Sequence, residues 1–442
     1  MVPNLPEPNW PTALLGPMPR TREIRVVCLA SLVCAGLILI FGLFPARQGG
    51  TRLGYEEDFV AFYGIGRLLD EHPPDRLYDF ATQEAIYLEL RPEQRFLGLP
   101  YIHAPFEALI FQPLARLPFR AAYVAWLAIG ITAYAVALLA MVRRFGPHDP
   151  AQRRTALLLA FAFGPFLMES WLGGNVAVIA CLGLGLAMSL ADAGRPLLGG
   201  AALALCVNKP SLLVLVLPML LVSRQVRMLV GFTAGAASLA VSSSLVLGLQ
   251  AWPDFVGAML RWARMTSAQQ GAFRDWKYVD LNAFTRVLPG GRSCVVMTLT
   301  LAATGVVLLA LVRLWWAFPR AGRRTRTMTW AATITWTLVL NAYVPIYDCA
   351  LLALVGLLAA SALRDPVTGD LPPAFATVVA LCFAGAWATQ PIAQLVRLQI
   401  FTIVLAYSGL YLLRHSQAAP ADPLASAAVA PLPGVPQGAA IR

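Results

Sequence analysis

The chain has 442 residues, 58% of them hydrophobic and only 13% charged, with a formal net charge of +11. With a mean hydropathy of +0.65, this composition excludes an ordinary soluble domain. The basic excess would suggest nucleic acid in a soluble protein. Here it clusters beside apolar runs and reads as membrane orientation instead.

In chain order, residues 1–19 are rich in Pro and Ala and read as a disordered tail, as do residues 415–442 at the other end. Residues 20–414 between them read as one transmembrane domain. The first apolar run, 24–44, is long enough to span a bilayer and lacks a small-x-small cleavage site, so it reads as a retained signal anchor. Directly after it come three carboxylates, Glu56, Glu57 and Asp58, followed by Phe59, Phe62 and Tyr63. A carboxylate beside aromatic rings at a lipid–water boundary is poorly solvated, the setting in which it can work as a base. Glu56 and Glu57 read as solvated loop residues, whereas Asp58 opens an amphipathic stretch. Short helices are expected near 57–70 and 79–90, and a half-helix over 104–118.

Further spans are expected at 121–142, 155–172, 175–191, 228–250, 294–317, 328–345, 349–363, 373–388 and 391–413. Segment 197–222 reads as two half-helices separated by Asn208-Lys209-Pro210. The expected fold is an all-α polytopic bundle of about 10–12 transmembrane segments. The seven cysteines are scattered through apolar segments with no CxxC pair, and read as packing residues.

Arginines flank the short connections: Arg20, Arg22, Arg25, Arg143, Arg144, Arg153, Arg154, Arg224, Arg227, Arg320, Arg323, Arg324, Arg326 and Arg414. With both termini in the cytoplasm, all of them fall on the cytoplasmic side. The long loops 45–103 and 251–293 are then outside. The same count gathers the unusual polar groups on the outer face. They are Asp58, His103, Gly173-Gly174-Asn175 just after Glu169 and Trp171, and Asn341, Tyr343, Tyr347 and Asp348. Loop 251–293 adds Arg261, Arg264, Arg274, Lys277, Asp280 and Asn282 among aromatics.

Lys209 is one of two lysines and sits in an apolar stretch. An ammonium at bilayer depth costs ~3 kcal/mol or more, so it should meet an anion in a cavity. With Asn208, and with a half-helix starting near Ser211, it reads as a phosphate-sized site. The alternative is an intramembrane ion pair with Glu169 or Asp348. For His103 the alternative is a cap on a re-entrant helix. Trp126, Trp252, Trp315, Trp316 and Trp330 read as an interfacial belt. Trp262, Phe273, Trp276 and Tyr278 could lie on lipid or stack on a sugar ring.

At Asp58-Phe59-x-x-Phe62-Tyr63-x-x-Gly66-x-Leu68-Leu69, followed by Leu77-Tyr78-Asp79, the chain resembles the first outer loop of glycosyltransferase family 87. Further agreement follows in order. His103-Ala104-Pro105-Phe106 with Pro113-Leu114-Ala115-x-Leu117-Pro118 is similar to the family's Tyr-Pro-Pro segment and its trailing Pro-Leu-Ala-x-Leu-Pro. Gly173-Gly174-Asn175 is similar to its Gly-Gln-x-Asn, and Gly199-Gly200 through Asn208-Lys209-Pro210 to its Gly-rich helix ending in Lys-Pro. The resemblance covers roughly 25–350. It departs at His103, at Gly174 and at Tyr343-Val344-Pro345-Ile346-Tyr347-Asp348, where the family has a Trp-x-His-Tyr-like segment.

The resemblance implies a GT-C-like fold in the plasma (inner) membrane. It implies an inverting transfer of a hexose, mannose-like, from a polyprenyl-phosphate donor to a lipid or glycan acceptor on the extracytoplasmic face. Asp58 is then the general base. Asn208 and Lys209 hold the donor phosphate, and Tyr63, His103, Asn175, Tyr347 and Asp348 line the substrate site. No metal, nucleic acid or obligate protein partner is implied. The rival readings are a transporter or flippase for a lipid-linked or anionic solute, which also uses broken helices and buried lysines, and a catalytically inactive relative of the same fold.

Overall fold

The computed structural model describes residues 21–43, 57–91, 100–268, 275–290 and 292–417. Residues 1–19, most of 415–442, and Arg20, Glu56, Phe273 and Arg274 lie outside the described residues, as does part of each long loop.

Among the described residues the chain is helical, with one isolated bridge between Tyr278 and Pro345. The helices are α1 (Thr21–Leu43), α2 (Glu57–Glu71), α3 (Phe80–Leu90), α4 (Pro105–Ala115), α5 (Phe119–Phe145), α6 (Pro150–Phe161) and α7 (Ala177–Asp192). They continue as α8 (Pro196–Leu203), α9 (Val216–Val222), α10 (Val226–Leu247), α11 (Ala251–Ala268), α12 (Leu281–Val287) and α13 (Cys294–Ala317). The last are α14 (Arg323–Val339), α15 (Leu352–Leu363), α16 (Pro373–Val396) and α17 (Ile400–Gln417), so residues 415–417 are helical.

Among the described residues, six helices are long and apolar enough to cross a membrane, or seven if the bent pair Pro150–Phe161 and Pro165–Leu172, angled at 51°, is one span. The chain is therefore an all-α polytopic membrane protein, with fewer self-sufficient spans than the apolar runs suggest. The shortfall has physical causes. Residues 196–222 are split at Lys209. Helix α14 is threonine-rich and hidden inside the bundle, with Thr329, Thr333 and Thr337 each donating to the carbonyl four residues back. Helix α16 also continues through Pro391 to Val396, where a break near 388–391 was expected, and ends at Arg397 in the left-handed region.

Burying apolar surface drives little association between helices in lipid, so close backbone approach matters more. Helices α8 and α10 meet on glycines. A Cβ on Gly200 would lie 1.9 Å from the Met228 carbonyl oxygen, and one on Gly231 would lie 1.9 Å from that of Leu197. A second core joins α2, α3 and α4 to the start of α5 and to α11, through Phe59, Phe62, Phe111, Trp126 and Phe255. Asp70 clamps α2 to α4 by accepting from Arg116 Nε and Nη2 at 3.0 Å each.

Three of the five tryptophans expected at the interface are in the interior. Trp126 donates to the Gly174 carbonyl (2.8 Å) and Trp315 to Thr333 Oγ1 (2.8 Å), and Trp330 is buried edge-on against Trp315. Trp316 is exposed, as a belt residue should be. Two of the arginines expected on the cytoplasmic side meet at one end, where Arg323 donates to Asp192 (2.9 Å) and to the Arg144 carbonyl (2.7 Å). Phe119, at the far end of the same α5, packs on Phe59. A 27-residue helix such as α5 is about 40 Å long, so the two ends are a bilayer apart.

Candidate active site

Asp58 lies in the first turn of α2, where the positive end of a 15-residue helix favours a carboxylate. Its partner comes from a chain break 117 residues away. The π-helical turn Pro165–Leu172 ends in Gly173-Gly174-Asn175, with Gly173 N–H donating to the Met168 carbonyl (3.0 Å) and Asn175 N–H to that of Ser170 (2.9 Å). Asn175 Oδ1 accepts from the N–H of Ala177 (2.8 Å), the first residue of α7, and this turns Asn175 Nδ2 to Asp58 Oδ2 (2.8 Å). The turn is pressed onto α2, for Phe59 N–H donates to the Gly173 carbonyl (3.3 Å). Gly174 has φ +72°, and a Cβ there would sit 2.5 Å from the Phe59 Cβ. That explains the missing polar side chain at Gly174, since the site leaves no room for one.

Lys209 occupies the break between two 3₁₀ segments, Ala204–Asn208 and Pro210–Leu213, with extended backbone (φ −136°, ψ 78°). Its Nζ donates to Asp348 Oδ1 at 2.6 Å and lies 4.2 Å from the centre of the Tyr347 ring. Between Glu169 and Asp348, the partner is Asp348. Glu169 Oε1 accepts instead from Gln390 Nε2 (2.8 Å). The expected half-helix dipole is corrected, because only a four-residue 3₁₀ turn follows Lys209. Asn208 is buried beside it, with neither side-chain polar atom hydrogen-bonded.

The charge of Asp58 reaches Tyr278, Tyr343, Tyr347 and Asp348, so the Asp58–Asn175 pair and the Lys209–Asp348 pair share one polar cluster. The Tyr278 and Tyr343 hydroxyls are 2.9 Å apart. Burial pushes the Tyr278 phenol up, helped by Tyr343 and by the Asp58 charge. The strip carrying Tyr278 is stapled in place: Gln399 Nε2 donates to the Tyr278 carbonyl (2.8 Å), Thr402 Oγ1 to that of Val279 (2.8 Å), and Val279 N–H to that of Val344 (2.9 Å). Asp280 caps α12 through Ala283 N–H (2.8 Å) and accepts from Val344 N–H (2.9 Å). Burial pushes its carboxyl up against those two bonds. It builds the site and does not face it.

Of the other predicted residues, Tyr63 belongs to packing rather than to the cluster, since its hydroxyl donates to the Leu117 carbonyl (2.9 Å). His103 does not cap α4, whose N-cap is Ala104 with no side-chain bond. Its ring packs edge-on against Phe62. Arg261 and Asn282 hold backbone, at the Tyr78 and Ala342 carbonyls (3.1 Å each).

Sequence reasoning missed Tyr278 and Tyr343 as a hydroxyl pair, and it missed Glu107. Glu107 is 0% exposed and places Oε1 3.3 Å from His103 Nδ1. The signal was the i, i+4 spacing of His103 and Glu107 at the start of α4.

A family model described as glycosyltransferase family 87 matches residues 101–345. That range includes His103, Asn175, Asn208 and Lys209, starts after Asp58 and stops just before Tyr347 and Asp348. No curated protein matches the chain, and no solved structure does.

Proposed function

The chain belongs to glycosyltransferase family 87, and we propose that this membrane glycosyltransferase moves a hexose, mannose-like, from a polyprenyl-phosphate donor to a hydroxyl of a lipid or glycan acceptor at the Asp58 end of the bundle. The observation that carries this reading is the placement of Asp58. It is fixed by Asn175 at 2.8 Å and sits at a helix start within a cluster that also holds a buried lysine. In the transfer, Asp58 takes the acceptor proton as the oxygen attacks the anomeric carbon. The bond to phosphate breaks on the opposite face, which inverts configuration.

The departing phosphate gains charge, and groups poised for that charge lower the barrier. Asn208 is one such group, with an amide that no other side chain engages. Lys209 is the second: of its three ammonium protons, Asp348 accepts one. Asn175, His103, Tyr347 and Asp348 complete the proposed substrate lining. The reaction needs no metal in this scheme, because a phosphate monoester leaves without a pyrophosphate to neutralise. Arg144 and Arg323, two of the arginines that flank the short connections, lie together at the opposite end. By the positive-inside rule this supports an extracytoplasmic site in the plasma membrane with both termini cytoplasmic.

The test supplies inverted and right-side-out vesicles with radiolabelled polyprenyl-phosphate hexose and compares wild type with Asp58→Ala. Wild type should form a new glycosidic bond on the extracytoplasmic side, and the variant should lose about 10²–10⁴-fold in rate. Undiminished transfer by Asp58→Ala removes it as base. Label that crosses the bilayer without a new bond points to a transporter.

A further inference from the structure

Glu107 is the least explained ionisable group among the described residues. Its side chain is fully buried, and neither oxygen has a hydrogen-bond partner. A bare carboxylate away from water is strongly disfavoured and persists where a cation or a task holds it. The group it faces is His103, whose Nδ1 is 3.3 Å from Oε1 but not aligned as a hydrogen bond. Catalytic contacts are often loose in a free enzyme and tighten around substrate.

The surroundings hold this pair without engaging it. Tyr78 donates its hydroxyl to the His103 carbonyl (2.7 Å), and Tyr101 donates to that of Ala104 (3.2 Å). Gln83 fixes both tyrosines by donating to the Leu77 carbonyl (2.7 Å) and accepting from Tyr101 N–H (2.7 Å). Both phenols are pushed up, by burial first and by the Glu107 charge second. On the other side, His103 is close enough to Asp348 for their charges to interact. The ring therefore lies against a sealed carboxylate and within electrostatic reach of Asp348, and pointing Nδ1 at Glu107 leaves Nε2 on the side away from it.

We infer that Glu107 is a positioning residue that accepts the Nδ1 proton of His103, and that the ring so held donates its Nε2 proton in a hydrogen bond to the phosphate of the lipid-linked donor. This rests on the donor class proposed above. Lys209 shares its charge with Asp348, and the His103–Glu107 pair adds a third contact for the leaving group to those of Asn208 and Lys209. A ring that donates from both nitrogens is positive, and Glu107 offsets that charge in the resting enzyme. During transfer the acceptor O–H proton goes to Asp58, the new C–O bond forms, and the pair from the broken C–O bond stays on the phosphate. The phosphodiester monoanion becomes a monoester dianion, and the added charge is met by the Nε2 hydrogen bond.

The experiment measures equilibrium binding of a long-chain polyprenyl phosphate to the purified full-length protein, with donor and acceptor KM and melting temperature, for E107Q, H103A and H103A/E107Q. E107Q should weaken polyprenyl-phosphate binding and raise donor KM by about 10- to 100-fold. Acceptor KM should be unchanged, and melting should fall because E107Q leaves the His103 charge without its partner, while H103A/E107Q, which lacks both groups, should recover it. The double variant should bind no worse than H103A, since the two side chains act as a unit. If stranding the carboxylate unfolds H103A, the double variant, which lacks both groups, is compared directly with E107Q and should match it within threefold. E107Q binding like wild type, losses that multiply in the double variant, or a raised acceptor KM in E107Q each overturn the inference. A wild type that binds no polyprenyl phosphate overturns the donor reading and this inference with it. Normal wild-type binding left intact by E107Q overturns the inference alone.

Discussion

The Lys209–Asp348 pair allows structure and substrate binding to be separated. Both side chains are buried, at 9% and 0% exposure, and the contact is 2.6 Å. Removing one partner leaves an uncompensated charge inside the bundle, which costs about 3–5 kcal/mol. Lys209→Met also forfeits the contact with the Tyr347 ring, 4.2 Å away, worth up to about 2 kcal/mol when desolvated. Replacing both by Met and Asn removes the charges together, and such exchanges are often neutral. Each single variant should therefore lower the melting temperature in detergent strongly, and the double variant should recover most of it, with a coupling of about 3 kcal/mol or more. Donor KM decides the second question. If Lys209 also meets the phosphate, the double variant stays stable yet binds donor poorly. Additive losses in melting temperature refute the ion pair as a stability unit. A stable double variant with wild-type donor KM refutes the phosphate role of Lys209.

Two glycine substitutions probe the scaffold at different distances from Asp58. Gly174→Ala forces a side chain into φ +72° and onto the Phe59 Cβ, at a cost of roughly 1–3 kcal/mol. It should reduce transfer more than that loss explains because Asp58 shifts with α2, and melting that drops with unchanged kcat contradicts this. Gly231→Ala presses a methyl against the Leu197 carbonyl, 1.9 Å from the ideal Cβ position. It should lower melting and yield while surviving protein keeps wild-type donor and acceptor KM. An altered KM would place the α8–α10 contact in communication with the site.

The apolar runs were readable because a span has to be apolar over most of its length, and the interruptions at Asn208-Lys209-Pro210 and Gly173-Gly174-Asn175 were readable because Pro and Gly act locally. The partners across those interruptions were not. Nothing near Lys209 in sequence separates Asp348 from Glu169, since that choice depends on how the turn at Ile346–Leu351 packs. Tryptophans at the ends of apolar runs look alike whether they face headgroups or bond a buried carbonyl, as Trp126 does. Pro391 looks like a terminator, yet neighbouring helices can satisfy what it leaves open. The spacing of Glu107 from His103 says nothing of its isolation, which only tertiary burial reveals.

The same constraint accounts for where the site lies. In lipid, freed backbone groups need internal partners, so irregular chain persists only where protein supplies them. Around this cluster it does. Tyr123 donates to the Leu172 carbonyl (2.5 Å) and Trp126 to that of Gly174 (2.8 Å), which secures the turn bearing Asn175. Asn341 Nδ2 donates to the Ser211 carbonyl (2.8 Å), securing the segment after Lys209. Asp280 accepts the Val344 N–H (2.9 Å), securing the strip before Tyr347 and Asp348. Each break carries a side chain proposed for the site, and each is held by a polar or aromatic residue whose own hydrogen bond goes to backbone. Residues such as Trp126, Asn341 and Asp280 therefore need to reach no substrate to be required: they keep three helix breaks at fixed positions around Asp58.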